Sequence, residues 1–166
     1  MRSLGSLEWK AIRFRGKWAW RKLLVQLADP RDRPALLRKQ GATIGQDCTI
    51  LTKSLGTEPK LVTIGDHCAI AGGTLFLTHD AATWGCGVKT VFDGIHIGNN
   101  VFIGANVILL PRTRIGDDAI IGAGAVVGGE VPAGMVYAGN PARPVCTTEE
   151  YRDKQVQRRL AKGLEP

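Results

Sequence analysis

Residues 97–132 read IGNNVF-IGANVI-LLPRTR-IGDDAI-IGAGAV-VGGEVP, which are six consecutive blocks of six residues with one shared pattern. Every block opens on an aliphatic residue, and glycine follows that residue in five of the six blocks. The residue four positions after the opening one is small or β-branched in every block. These residues are Val101, Val107, Thr113, Ala119, Ala125 and Val131.

The same pattern occurs earlier in the chain, where two insertions interrupt it. The earlier positions in phase are Ile44, Ile50, Ile64, Ile70 and Phe76. Val145, 18 residues beyond Val127, also falls in phase. The phase slips near residues 55–62 and near residues 81–94, so we expect the chain to leave its regular path at both places.

A period of six fits neither the 3.6-residue period of a helix nor the alternation of a β-hairpin. It is typical of a parallel β-solenoid, in which a short strand, a turn favouring glycine and a corner repeat. Three blocks make one triangular coil of 18 residues, and each coil stacks on its neighbour by main-chain hydrogen bonds. The sequence therefore predicts an all-β solenoid whose aliphatic residues point inward and whose two ends need caps.

Composition bounds the remaining possibilities. The chain has 166 residues, 44% hydrophobic and 22% charged, which suits one soluble domain. No apolar run reaches the roughly 18 residues of a membrane span, and we expect no secretory signal. The four cysteines (Cys48, Cys68, Cys86 and Cys146) form no paired framework, so we expect reduced thiols and a cytoplasmic protein.

The net charge of +7 is concentrated at the N-terminus. Residues 1–28 hold seven Lys or Arg against one acid, Glu8, whereas residues 29–146 hold ten of each sign. A nucleic-acid-binding domain would carry a basic stripe on its folded body. The neutral body therefore argues against nucleic acid as a partner.

The repeats closely resemble those of the hexapeptide-repeat acyltransferases, over about residues 41–146. The resemblance is strongest in IGNNVFIGANVILLPRTRIGDDAIIGAGAVV and in the closing AGNPARPV at 138–145. Within that superfamily the chain looks most like the sugar O-acetyltransferases, namely the galactoside and maltose acetyltransferases and their relatives in polysaccharide biosynthesis. The resemblance implies a left-handed parallel β-helix, a homotrimer, and acetyl-CoA as cosubstrate with no metal required.

His79 is the candidate general base. Acetyl transfer from a thioester needs a base near neutral pH to take the proton of the attacking hydroxyl or amine. His79 lies three residues after Phe76, at a position that we expect to point away from the core, beside the 81–94 insertion. In the resembling enzymes the catalytic histidine occupies this place. The alternative is an ordinary surface histidine.

The other two histidines have weaker claims. His67 lies in the turn IGDHCA, where an exposed polar residue is expected, and His96 directly precedes Ile97. A zinc site built from all three, as in the hexapeptide-repeat carbonic anhydrases, would need them to converge at ligand distance. Their spacings place them on different faces of one chain, although convergence across a subunit boundary stays open.

Several groups could orient the imidazole of His79. Asp80 is adjacent, but neighbouring residues of a strand point to opposite faces. Asp93, Glu58 or a backbone carbonyl could serve instead.

The resemblance also implies a donor site, a groove along stacked coils at a subunit boundary. The pantetheine arm of coenzyme A is expected to pass Phe102, Ala105 and Ala123, and an amide near Ala105 could stabilise the oxyanion. Arg143 matches an arginine that meets the nucleotide phosphates; alternatively it fixes the last coil. Arg112 and Arg114, which replace small residues, could either add charge near those phosphates or be solvated.

We expect the 81–94 loop to contact the acceptor through Trp84, Asp80 and Asp93. An exposed tryptophan suits stacking on the apolar face of a sugar ring. Anchoring of the loop on a sister subunit is an equally good explanation of Trp84.

The two ends read as helices. Residues 1–40 form a basic segment in which Ser6–Ala28 predicts an amphipathic helix ended by Asp29-Pro30. This helix could cap the first coil, which we favour, or residues 1–28 could make a peripheral contact with the inner membrane face. Residues 147–166 predict a C-terminal helix that begins near Thr147 and could cap the other end.

The sequence therefore predicts an acetyl-CoA-dependent O-acetyltransferase acting on a sugar hydroxyl in polysaccharide or glycan biosynthesis. An N-acetyltransferase acting on an amino sugar or a drug is the close alternative. Two alternatives come from other classes, a zinc-dependent hydratase on the same solenoid and a non-catalytic scaffold.

Overall fold

The structure is a computed structural model that describes residues 19–20 and 23–165. Most of the predicted helix Ser6–Ala28 therefore lies outside the described residues, although residues 19–20 and 23–27 are helical. Two further α-helices follow, α1 (Arg33–Arg38) and α2 (Thr148–Leu160), with short 3-10 helices at Pro59–Leu61 and Ala82–Cys86. No helix in this described part is long and apolar enough to cross a membrane.

Very short strands form three parallel sheets. The first sheet contains β1 (Thr43–Ile44), β3 (Val62–Ile64), β8 (Ile95–Ile97), β11 (Arg114–Ile115) and β14 (Glu130–Val131). The second contains β2 (Thr49–Ile50), β4 (Ala69–Ile70), β9 (Phe102–Ile103), β12 (Ile120–Ile121), β15 (Met135–Ala138) and β16 (Arg143–Thr147). The third contains β5 (Leu75–Phe76), β10 (Ile108–Leu109) and β13 (Val126–Val127). A separate antiparallel hairpin consists of β6 (His79–Asp80) and β7 (Val91–Phe92).

The chain visits the three sheets in turn, so that each circuit is one coil of the predicted repeat. In the regular part, Ile115 pairs with Ile97, and Ile121 pairs with Ile103, each 18 positions earlier. In-register pairing of this kind places equivalent residues of successive coils on top of one another.

The in-phase residues form the core, as the periodicity predicts. The buried opening residues are Ile44, Ile50, Ile64, Ile70, Phe76, Ile97, Ile103, Leu109, Ile115, Ile121 and Val127. The residues four positions later, from Val101 to Val131, are buried as well. Alternate residues of each two-residue strand point outward, which leaves Phe102 exposed while Ile103 is buried.

Glycine follows the opening residue because the next coil runs too close for a side chain. A Cβ added to Gly104 would lie 2.5 Å from the backbone nitrogen of Ala123, and one on Gly65 would lie 2.6 Å from the carbonyl oxygen of Gly98. Real Cβ atoms do not approach backbone this closely, so the close stacking of the coils selects glycine.

A ladder of side-chain to main-chain hydrogen bonds ties the turns of one corner together. Asp66 Oδ1 accepts from the amide of Gln46, Asn99 Oδ1 from the amide of Asp66, and Asp117 Oδ1 from the amide of Asn99, at 2.7–2.9 Å. Short polar side chains in the IGxx turns therefore stabilise the stack as well as solvate it.

The first coil is capped as predicted. Val25 and Leu37 are fully buried in the same cluster as the coil interior. Arg38 Nε donates to the carbonyl of Ile44 at 2.8 Å, and Arg33 Nη1 donates to that of Leu51 at 2.6 Å. The N-terminal segment therefore closes the open end of the solenoid with both apolar burial and hydrogen bonds.

The other end differs from the prediction in two respects. Val145 is 63% exposed, so its place in the repeat is wrong: β16 reverses direction and pairs antiparallel with β15. Helix α2 begins as expected, because Thr147 and Glu150 form a reciprocal capping box. None of its residues is buried, however, so α2 does not close the last coil as α1 closes the first.

Candidate active site

His79 stands on the hairpin, just outside the solenoid. After β5 the chain leaves the coil, and β6 pairs with β7 so that His79 lies opposite Phe92. The two rings are tilted by 41° with centroids 5.6 Å apart. The imidazole points away from the core, as expected, but it is half-buried, with 37% of its side chain exposed. It is therefore more enclosed than an ordinary surface histidine.

A carboxylate from the other insertion orients this imidazole. Glu58 Oε2 lies 3.2 Å from His79 Nδ1, although 21 residues separate the two in sequence. The same oxygen accepts hydrogen bonds from Thr57 Oγ1 at 2.7 Å and Thr78 Oγ1 at 2.5 Å. Of the groups considered from sequence, the structure thus selects Glu58. The two threonines were missed, because no local pattern marks them.

The pKa of Glu58 is lowered from its ordinary value of 4.5. Partial burial acts to raise it, but the hydrogen bonds from Thr78, Thr57 and His79, with the charge of a protonated His79, together outweigh burial. Glu58 therefore stays a carboxylate at neutral pH. With an ionised acceptor beside Nδ1, the proton of the neutral imidazole is favoured on Nδ1, which leaves Nε2 as the basic nitrogen.

His79 borders a groove of about 580 Å³. Its walls are residues 51–54, 56–57 and 72–77, which belong to the first two coils. Its lining is mainly apolar, with Lys53 and Ser54 among the polar residues. The sequence analysis missed this wall, which the 55–62 insertion brings beside His79. A mainly apolar concave site next to a titratable group is the usual form of a ligand site.

The 81–94 loop does not line that groove. Trp84 is 75% exposed in the loop, and Asp80 Oδ1 accepts from the amide of Ala82 at 2.8 Å, which caps the 3-10 turn. Asp93 pairs with Arg112, whose Nε lies 2.7 Å from Asp93 Oδ2. Asp93 therefore does not orient His79, and Arg112 is engaged with the loop, where sequence left open a role near phosphates.

The four donor-site candidates lie on the later coils. Ala105 and Ala123 occupy the same corner of adjacent coils, where the amide of Gly124 donates to the carbonyl of Ala105 at 2.8 Å. Phe102 is exposed on β9, and Arg143 is exposed on β16. The structure thus places two of the four candidates one above the other, and Arg143 donates only to the adjacent carbonyl of Ala142 among the bonds identified.

The remaining histidines occupy other surfaces. His67 has a positive φ of 56° in a corner turn, and its Nδ1 lies 3.6 Å from exposed Asp47. His96 is exposed on β8 beside Arg114 and borders a separate cavity of about 420 Å³. Across residues 19–20 and 23–165, no three His, Cys, Asp or Glu side chains converge as a metal-binding group.

The cysteines are unpaired thiols, as expected. Burial raises the pKa of Cys68 to about 11, so this thiol is protonated and unreactive. Cys86 is exposed in the 81–94 loop.

Comparison with known proteins agrees with the repeats and the site. Residues 94–129 match the family described as bacterial transferase hexapeptide (six repeats). Protein CapG of Staphylococcus aureus is 39% identical over 141 residues, which cover 81% of this chain and 82% of that protein. Galactoside O-acetyltransferase of Escherichia coli (strain K12) is 39% identical over 99 residues, covering 56% of this chain and 47% of the enzyme.

A solved structure shares the fold along most of the chain. Galactoside acetyltransferase in complex with coenzyme A superposes with a TM-score of 0.63 over 93% of this chain and 88% of that one, at 23% identity. At that identity the likeness concerns architecture, whereas the similarity to CapG extends over most of both sequences. The chain therefore belongs to the family of bacterial hexapeptide-repeat acyltransferases.

Proposed function

We propose that this chain transfers the acetyl group of acetyl-CoA to a sugar hydroxyl, in the assembly of a polysaccharide or glycan. The observation that carries the proposal is the Glu58–His79 pair at the edge of the groove. The names of two relatives support the class of reaction, since the Escherichia coli protein is a galactoside O-acetyltransferase and a solved neighbour is a maltose O-acetyltransferase.

In this mechanism His79 acts as the general base through Nε2. The acceptor oxygen attacks the carbonyl carbon of the thioester while Nε2 takes the hydroxyl proton, and a tetrahedral oxyanion forms. When the intermediate collapses, the C–S bond breaks and the imidazolium returns the proton to the thiolate. The products are the acetylated sugar and free coenzyme A. Glu58 stabilises the imidazolium and fixes the ring with Nδ1 as its hydrogen-bond donor.

The groove beside His79 is the proposed acceptor site. Its wall of residues 51–57 and 72–77 lies on the N-terminal side of His79 along the stack, whereas Ala105 and Ala123 lie on the C-terminal side. His79 therefore stands between the two sets of residues, where a base must stand to act on an acceptor attacking a donor. Trp84, Asp80 and Asp93 would act at the outer edge, as contacts or supports of the loop.

The donor is proposed to lie along Phe102, Ala105 and Ala123, with Arg143 toward the nucleotide phosphates. Small side chains at the stacked corner of Ala105 and Ala123 let an extended pantetheine arm approach the main chain. We further propose a homotrimer with the left-handed coil of the family, in which a sister subunit would complete the donor groove.

Replacement of the base tests the proposal. His79→Ala is expected to lower the turnover of acetyl-CoA with a sugar acceptor by about 10²–10⁴-fold, because a positioned general base contributes that much. The assay is the release of free thiol from acetyl-CoA across a panel of hexosides, with acetylated product confirmed by mass. His67→Ala is the matched control, since His67 also faces a carboxylate but lies in an exposed turn.

Two outcomes would contradict the proposal. Full turnover by the His79→Ala variant would remove the mechanism, and absence of acetyl-CoA binding by the wild-type protein would remove the donor. Calorimetric titration of acetyl-CoA into metal-free wild type and Arg143→Ala separates these possibilities. We expect metal-independent binding that the Arg143 substitution weakens.

A further inference from the structure

The helical residues that precede α1 use only part of their surface to cap the solenoid. Val25 is fully buried, but Trp20, Leu23, Leu24 and Leu27 are 45–76% exposed. Positions 20, 23, 24 and 27 have the spacing of one face of a helix. We call these four side chains the apolar stripe. It adjoins a hollow of about 450 Å³ between Leu24, Leu27 and α1, so the uncovered apolar surface extends beyond the four residues.

Charge distinguishes the possible partners of this stripe. Residues 1–28 contain seven Lys or Arg and a single acid, whereas the rest of the chain holds 15 basic and 14 acidic residues. Tryptophan and leucine on one side, with lysine and arginine nearby, is the composition of helices that lie in the headgroup region of anionic bilayers. Pairing with the same segment of a second copy would instead bring two strongly positive segments together.

We propose that the apolar stripe, together with the cations of residues 1–28, docks the protein on the surface of an anionic lipid bilayer. Val25 and Leu37 would hold the segment on the first coil while the stripe enters the interface. The cations would then face lipid phosphates. This interaction goes beyond the proposed acetyl transfer and does not depend on it, because it uses neither His79 nor the groove.

Flotation of the full chain with vesicles tests the proposal. The protein is mixed with vesicles of phosphatidylcholine alone or of phosphatidylcholine and phosphatidylglycerol in equal parts, at low and high salt. We expect binding to the anionic vesicles that high salt weakens. The double variant Leu24→Ser with Leu27→Ser should bind these vesicles about tenfold or more weakly, because two exposed leucines no longer enter the interface.

The control replaces exposed leucines at the other end of the chain. Leu160→Ser with Leu164→Ser removes two leucines that are also about half exposed, and its vesicle binding should equal that of the wild type. A second variant, Arg13→Gln with Arg15→Gln and Lys17→Gln, tests the charge without altering the stripe. It should also weaken binding about tenfold or more.

Three results would overturn the proposal. They are no flotation with anionic vesicles, unchanged flotation of both the leucine and the charge variants, and dissociation of a wild-type oligomer in the Leu24/Leu27 variant. The last result would make the stripe a subunit contact. None of these measurements involves acetyl-CoA or an acceptor, so failure here is distinguishable from failure of the proposed function.

Discussion

The contact between Glu58 and His79 allows a quantitative prediction for Glu58→Gln. When Nε2 takes the acceptor proton, the imidazolium stands 3.2 Å from Glu58 Oε2. At that distance the attraction of two unit charges is about 5 kcal/mol at an effective dielectric constant near 20 and about 1 kcal/mol in water. Both side chains are partly exposed, which screens the pair, so we expect a loss of about 1.5–3 kcal/mol. The amide variant should therefore reduce kcat by about 10- to 100-fold.

The assay is steady-state thiol release with an acceptor on which the wild-type enzyme is active. The loss should fall on kcat, with little change in the KM for acetyl-CoA, because Glu58 acts through His79 and does not touch the donor. Asp47→Asn is the matched control, since it removes the carboxylate beside His67. If Glu58→Gln kept kcat within about twofold while His79→Ala lost it, the carboxylate would have no part in stabilising the imidazolium.

Two further predictions concern stability. Gly104→Ala should lower the free energy of unfolding by about 2 kcal/mol or more, a decrease in Tm of about 4–8 °C, because its Cβ would meet the backbone of Ala123; Gly85→Ala, where nothing lies within 4 Å, should change the Tm little, and equal Tm values would contradict the close-stacking argument. The lowered pKa of Glu58 gives a pH dependence: its ionised form stabilises the fold above pH 4.5, and that contribution is lost as the pH falls through the lower pKa of the folded state. Thermal melts of wild type and Glu58→Gln should therefore converge as the pH is lowered from 7 to below 4, and a constant difference would show that ionisation of Glu58 is not involved.

The fold could be predicted from the sequence because each coil depends mainly on short-range rules. The aliphatic residues from Ile97 to Val127 had to point inward together, and the glycines after them reflect a backbone contact that recurs with every coil. Val145 shows the limit of the rule. It keeps the phase by spacing alone, but β16 has reversed direction, and a periodic pattern carries no information about such a reversal.

The active site could be predicted only in part, since its members come from separate insertions. His79 was identified from its position beside the 81–94 loop and from the family resemblance. Glu58 was one of several open alternatives, because the contact depends on how the 55–62 insertion folds back over 21 residues. Asp93 shows the opposite case: it is near His79 in the hairpin, yet Arg112 engages its carboxylate. Proximity along the chain does not reveal which charged partner a side chain meets.

The hairpin that carries His79 is inserted at one step of an otherwise regular stack, and this has an evolutionary consequence. Strand pairs of the regular coils join residues 18 positions apart, whereas Ile64 and Ile97, on either side of the hairpin, are 33 positions apart. Loop-closure entropy grows only with the logarithm of length, so the longer excursion costs about 0.5 kcal/mol more. Lengthening or replacing the loop is therefore nearly neutral for stability. We expect descendants of this chain to change acceptor preference by gaining and losing residues between Asp80 and Val91, with the stack beneath them unaltered.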